Sequence, residues 1–287
     1  MKNRLVERVA RSACRAWLVA CIAASLAALT ASHAIAGQTC RSVDPTPQAQ
    51  QTAFHAAAHL EAWLDAHGAQ VAIIARRGQD LDRYDLTFSH AAFVVRDPGG
   101  SGWLVIHDLN RCGTAQANLF VQGLAQFYTD DLVSTETAVI VPSREVQAAL
   151  STILMDNTAR YRMHDASYSV VAYPFAQLHQ NSNGWLLETY INALNGGTLN
   201  DRTDAQQALI AAGYRPSVVI IGPLTRLGGR LTAANVTFDD QPPALRWTNR
   251  ITVNSGDSVL AFVAMRGVPQ EGCAHGSFTN AVCLLHP

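Results

Sequence analysis

Apolar runs broken by turn residues divide this chain into predicted elements. Phe54, Ala58, Leu60, Trp63 and Leu64 fall near one helical face, and Gly68 follows, which predicts a helix over 48–67. Residues 71–75 predict a strand. The stretch 84–110, YDLTFSHAAFVVRDPGGSGWLVIHDLN, has two apolar arms around Asp97-Pro98-Gly99-Gly100. That centre is turn chemistry, so the arms 86–95 and 102–109 are expected to form a hairpin. A register symmetric about Pro98 and Gly99 sets His90 opposite His107, with side chains on one face starting roughly 4.5–5.5 Å apart.

Further on, residues 118–128 predict a short helix and 137–141 a strand, and Ser143 caps a helix carrying Val146, Leu150 and Leu154. Between 182 and 194 the residues Trp185, Leu186, Tyr190, Ile191 and Leu194 recur at helical spacing, with Asn181 as N-cap. Ser182 then sits in the first turn. A helix over 204–212 ends at Gly213, and a strand covers 217–221. From Leu224 onward the pattern predicts short strands at 230–238, 250–253 and 259–264, the last two as a hairpin around Asn254-Ser255-Gly256-Asp257. The fold class expected is α+β: an antiparallel sheet packed on the helix that bears Ser182, with extra C-terminal strands. Residues 37–225 form the main domain and 226–287 a β-rich extension of it.

Composition narrows the function classes. Lys2, Arg4, Arg8, Arg11 and Arg15 precede an apolar run at 16–31 and the small-residue site Ala34-Ile35-Ala36, the layout of a cleaved signal peptide over 1–36. The apolar run is short for a bilayer span of about 20 residues and contains Ser25 and Thr30. Gly37-Gln38-Thr39 before Cys40 is not a lipidation pattern. A periplasmic protein with no transmembrane helix after processing is expected. Processing removes five basic residues and Glu7 and leaves a net charge of −5, which argues against nucleic acid as a partner. Lys2 is the one lysine in the chain, so the processed protein has no Walker lysine, Schiff-base lysine or Ser-Lys dyad.

Cys40, Cys112, Cys273 and Cys283 remain, an even number in an oxidising compartment. Cys273 with Cys283 and Cys40 with Cys112 are the pairs expected, out of three connectivities; a free nucleophilic Cys112 has no basic helper beside it. His55 and His59 stand at i and i+4, a metal-ligand spacing, but Ala56 occupies the place a zincin gives to Glu. A helix surface is the plainer reading, as a capped or solvated loop is for Asp130-Asp131. No metal and no cofactor are expected.

There is no G-x-S-x-G elbow, no H-E-x-x-H and no dinucleotide fingerprint. The passage Gly78-Gln79-Asp80-Leu81, then Ser89-His90-Ala91-Ala92-Phe93-Val94-Val95, then Trp103-Leu104-Val105-Ile106-His107 resembles the histidine half of NlpC-type papain-like hydrolases. In their circularly permuted members, including the lecithin retinol acyltransferase-like group, the nucleophile follows the histidine in an Asn-Cys motif opening a helix. Asn181-Ser182-Asn183-Gly184-Trp185 is similar to that motif, with Ser in place of Cys. The whole processed chain, including Gln180-Asn181-Ser182-Asn183 and Phe238-Asp239-Asp240, also resembles an exported bacterial family known as domain of unknown function 2145.

The papain-like resemblance implies a hydrolase or acyl transferase acting on a cell-envelope amide or ester. Ser182 would attack, His90 would take its proton, and His107 would hold the imidazole tautomer, with backbone N–H groups near the helix start, helped by Gln177 or Tyr173, receiving the oxyanion. A serine at a helix start is not ionised by the dipole as a cysteine is, so everything rests on His90 reaching it. The alternative is a catalytically inactive papain-like fold that binds a cell-envelope ligand, such as a peptidoglycan peptide or acyl group, or a partner.

Overall fold

Residues 71–75 and 91–95 are apolar without alternation, and a strand of that kind needs cover on both faces of its sheet. The computed structural model describes residues 45–287 apart from 101, 131 and 247. The predicted signal peptide and Cys40 lie outside the described residues. The described elements are α1 (Pro47–Ala66), β1 (Val71–Arg76), β2 (His90–Arg96), β3 (Trp103–Asn110), β4 (Ala117–Gly123), α2 (Leu124–Phe127), β5 (Thr137–Ile140), α3 (Arg144–Met155), α4 (Ser182–Leu194), α5 (Arg202–Ala211), β6 (Ser217–Ile220), α6 (Pro223–Thr232), α7 (Pro243–Arg246), β7 (Arg250–Val253), α8 (Gly256–Ala264) and β8 (Cys283–Leu285). All belong to one unit, Ala36–Pro287.

Six antiparallel strands stand in the order β4-β3-β2-β1-β5-β8, with helices on both faces, an α+β architecture. On one face α1 packs Ala53, Ala56, Leu60 and Leu64 against Ala72, Ile74, Ala92 and Val94. On the other, α3, α4 and α8 set Leu150, Trp185, Tyr190 and Leu260 against Ile73, Phe93 and Ile106. The Trp185 ring meets Phe93 edge-on, with centroids 5.6 Å apart. A smaller sheet of β6 and β7 encloses Val219, Ile251 and Phe238 in a third core.

Several expectations change. The helix face at α1 excludes Phe54, which is 63% exposed, because the small side chains of Ala53, Ala56 and Ala57 make the close approach to the sheet. Residues 118–128 are not one helix. The free edge of β3 draws 117–123 into β4, pairing Asn110 with Ala117 through Leu104 with Gly123, and a single turn of helix follows. The first hairpin arm begins at His90, not Leu86: the Thr87 and Phe88 N–H groups donate to the Asp257 carboxylate and are lost to any ladder.

The largest correction lies at 254–264. The predicted hairpin is absent; β7 pairs with β6, and 256–264 is helix α8. Asn254-Ser255-Gly256-Asp257 is helix-start chemistry, not a turn. The Ser255 hydroxyl accepts from the Ser258 N–H at 3.1 Å, and the Ser258 hydroxyl accepts from the Ser255 N–H at 3.0 Å, satisfying two otherwise orphaned donors. Residues 230–238 are likewise the end of α6 and a turn, not a strand. Cys273 and Cys283 form the expected disulfide. Cys112 is also disulfide-bonded, and its expected partner Cys40 is outside the described residues.

At the start of α8 the backbone of Gly256 lies so close to the segment leading into β2 that a Cβ there would stand 2.5 Å from the Phe88 carbonyl oxygen. Gly256→Ala is therefore expected to lower unfolding free energy by about 1–3 kcal/mol through overpacking. Urea denaturation of the variant checks this, and a midpoint equal to the parent's would contradict the close approach.

Candidate functional site

The hairpin brings the two histidines together. The observed register pairs Phe93 with Ile106, which is two residues from symmetry about Pro98 and Gly99, because the loop closes with the Asp97 N–H on the Gly102 carbonyl. A shift of two preserves the face, so His90 and His107 become diagonal neighbours on one side of the sheet. His90 Nε2 lies 2.9 Å from His107 Nδ1, and His107 Nε2 lies 3.1 Å from Gln122 Oε1. Because the amide oxygen only accepts, His107 carries its proton on Nε2 and its Nδ1 accepts from His90 Nε2–H. That leaves the lone pair of His90 Nδ1 unassigned, at a residue that is half-buried.

Arg76 and Phe127 complete this side. The Arg76 guanidinium donates to the Phe127 carbonyl and the Asp130 carboxylate and lies 4.5 Å from the Phe127 ring centroid. Asp131 falls outside the described residues. Loss of solvent, then the neighbouring His107 and Arg76, holds His90 well below the ordinary imidazole range. Burial and Arg76 bring His107 down to about 4. Both rings are neutral at pH 7.

Ser182 is elsewhere. It opens α4, as the spacing predicts, with Asn181 accepting the Gly184 N–H at 2.8 Å as N-cap. Its hydroxyl lies 3.3 Å from the Tyr168 hydroxyl, and the residue is 6% exposed. The α4 core residues Trp185 and Leu186 pack on the Phe93 and Ile106 side of the sheet, whereas His90 and His107 approach Phe127, which packs on the α1 side. Ser182 thus belongs with the α4 face and bonds Tyr168, the imidazoles belong to the α1 face and bond each other, and the β2–β3 ladder ends at Phe93 with Ile106, short of both histidines. Asn183 is the residue that meets the histidine strand: it accepts the Ala91 N–H at 2.9 Å and donates to the Ser89 carbonyl at 3.1 Å. Gln177 donates to Gln206, and the Tyr173 N–H to Asp240.

On the Ser182 side stand three residues that the sequence reading passed over. Asp108 is fully buried, and among the described residues neither carboxylate oxygen has a hydrogen-bond partner; His164 Nε2 approaches it at 3.4 Å. Burial raises the Asp108 carboxyl, with His164 pulling the other way, and pushes the Tyr168 phenol up to about 12. The signal for Asp108 was available: in a strand the neighbour of His107 must point to the opposite face.

The approach to Ser182, residues 162–181, is loop, and α5 holds it. Arg202 donates to Glu188 at 3.0 Å, to Asp165 at 2.8 Å, and to the carbonyls of Ala176, Gln177 and His179. Gln180 and Gln206 complete the shell of Glu188. His55 and His59 are exposed on α1, and among the described residues no three His, Cys, Asp or Glu side chains stand together as a metal site.

The model of a bacterial family, described as "uncharacterized protein conserved in bacteria" (DUF2145), matches residues 63–263. No curated protein and no solved structure matches the chain.

The neutral pair sets a pH dependence. An imidazole titrates near 6.5 when unfolded, whereas folded His107 titrates at about 4. A depressed value in the folded state means that this contribution is complete above about pH 6.5 and is lost as pH falls through 6.5 towards 4. His107 alone accounts for about 2 kcal/mol by pH 5, with His90 acting in the same direction. Asp108 and Glu188, raised by burial, act with opposite sign: their contribution is present at low pH and lost as pH rises through their raised values. Urea midpoints at about pH 7.5 and about pH 5 should show the acid loss, and His107→Gln should remove the His107 share of it while the His90 share remains. A parent equally stable at both would rule out a desolvated neutral pair.

Proposed function

The chain belongs to the bacterial family DUF2145, and for this member we propose an exported, periplasmic protein that binds a cell-envelope ligand without hydrolysing it, on a scaffold resembling the permuted papain-like hydrolases. The observation that carries this reading is the separation of Ser182 from His90. A serine nucleophile needs a base within hydrogen-bond reach, and the Ser182 hydroxyl has Tyr168, whose phenol burial keeps protonated. His90, in turn, spends Nε2 on His107. An acyl-transfer mechanism would have to break the Ser182–Tyr168 and His90–His107 contacts and bring Ser182 and His90 to one face, or replace the base.

Binding asks less of the same residues. The His90 Nδ1 lone pair, on a neutral and half-buried ring, is an acceptor for an amide N–H or hydroxyl of a peptidoglycan peptide. Arg76, held by Phe127 and Asp130, fixes the ground beneath it.

The test pairs two assays on the same variants. A fluorophosphonate probe should leave Ser182 unlabelled, activated acyl esters should not be turned over, and Ser182→Ala should bind soluble peptidoglycan fragments as the parent does, with stability within about 1 kcal/mol. His90→Ala should weaken that binding about tenfold, the scale of one lost hydrogen bond in a desolvated site. Hydrolysis that disappears in Ser182→Ala would overturn the proposal in favour of the enzyme.

A further inference from the structure

Helix α6, Pro223–Thr232, is built inside out. Its sequence PLTRLGGRLT puts Leu224, Leu227 and Leu231 on one stripe, and a helix of a globular protein turns such a stripe to the core. Here the glycine side packs. A Cβ at Gly229 would meet the Val236 side chain at 3.2 Å, and Gly229 is the buried residue of the helix. Leu224, Leu227 and Leu231, on the opposite side of the wheel, are 84%, 54% and 77% exposed. Val218 and Ile220 of β6, which lead into the helix, are exposed as well. Ile220 pairs with Arg250 across the two-stranded sheet, so apolar and cationic side chains share its outer face.

Along the sequence this stretch is one-sided in charge. No Asp or Glu occurs between Asp204 and Asp239, whereas Arg215, Arg226 and Arg230 do, and Arg246 and Arg250 follow. In a chain whose net charge is −1, that is a local reversal of sign. Arg226 is spent on the carbonyls of Ile221, Arg246 and Arg250, which braces the helix on the small sheet. Arg230 and Arg250 are exposed. Among the described residues no helix is long and apolar enough to cross a membrane. A short helix with leucines outward and arginines flanking them is suited to lie in the interface of a bilayer, apolar side chains among the acyl chains and guanidinium groups at the phosphates.

We propose that α6 with the outer face of β6 and β7 docks this protein on an anionic lipid surface. The inference is independent of the role assigned to His90. Leucine burial supplies the area-dependent attraction, and the arginines select headgroup charge. A second copy of the chain is disfavoured as occupant because like-charged arginines would face one another across a two-fold contact.

The chain from Gly37 onward, which retains every described element, is mixed with phosphatidylcholine vesicles with and without phosphatidylglycerol and sedimented. Partition onto the anionic vesicles should exceed that onto the neutral ones and fall with added salt. Arg230→Gln and Arg250→Gln should each lower it about fivefold, the equivalent of about 1 kcal/mol per basic residue at the surface. The triple variant Leu224→Ser, Leu227→Ser, Leu231→Ser should lower it about tenfold or more while the melting temperature holds, since these side chains touch no core. Equal partition onto both vesicle types, or a triple variant that partitions like the parent, overturns the proposal. A parent that sediments as a dimer and becomes monomeric in the triple variant also overturns it, assigning the face to a second copy.

Discussion

The contact between Arg202 and Glu188 is the constraint on which the placement of the rest depends. Glu188 lies on the packed side of α4, where desolvation opposes its charge, and the fold answers with Arg202, Gln206 and Gln180 together. A buried carboxylate whose cation is removed costs about 3–5 kcal/mol, far more than the intact pair contributes. Arg202 uses its remaining donors on the carbonyls of the preceding loop. One guanidinium thus fixes a twenty-residue stretch without secondary structure, and that stretch sets where Asn181 caps α4. From there Asn181 and Asn183 both donate to the Asn254 carbonyl, and Asn183 grips the start of β2.

The pleat of β3 decides the chemistry. His107 and Asp108 are adjacent in sequence and occupy different worlds: one in a neutral imidazole chain ending on Gln122, the other beneath α4 with His164. The β2–β3 ladder ends at Phe93 with Ile106, and beyond it the Ala91 N–H donates to Asn183 of α4, the residue after Ser182. The low dielectric on each side acts in opposite senses, depressing the histidines and raising the carboxyl.

Elements with one dominant local signal were legible in the sequence. Strand β1, the hairpin and the capped helices α3 and α4 follow from continuous apolar runs, the Asp97-Pro98-Gly99-Gly100 turn and Ser143 and Asn181 as caps. What failed was ambiguous chemistry. Ser255-Gly256-Asp257-Ser258 satisfies a turn and a helix start equally, and only the Thr87 and Phe88 donors waiting for Asp257 decide between them. Residues 117–123 owe their strand to the edge of β3, a partner no local window contains. The shared face of the histidines survived a wrong register because the error was even. The placement of Ser182 relative to that face depends on which side of the sheet α4 covers, and periodicity within either element is silent on that.

The clamp on the histidine strand comes from far along the chain. Thr87 and the Asp257 carboxylate that holds it are separated by 170 residues, and β5 finds β8 at a comparable distance. Contacts of such long range form late, because the loop they close must be ordered before they repay it. Until α8 arrives, the Thr87 and Phe88 N–H groups lack their acceptor, and until β8 arrives one edge of the sheet stays open to pairing with other chains. Folding should consequently be slow for a protein of this size, with the histidine strand among the last parts to acquire protection from hydrogen exchange, and with a premium on keeping newly made chains apart while they wait.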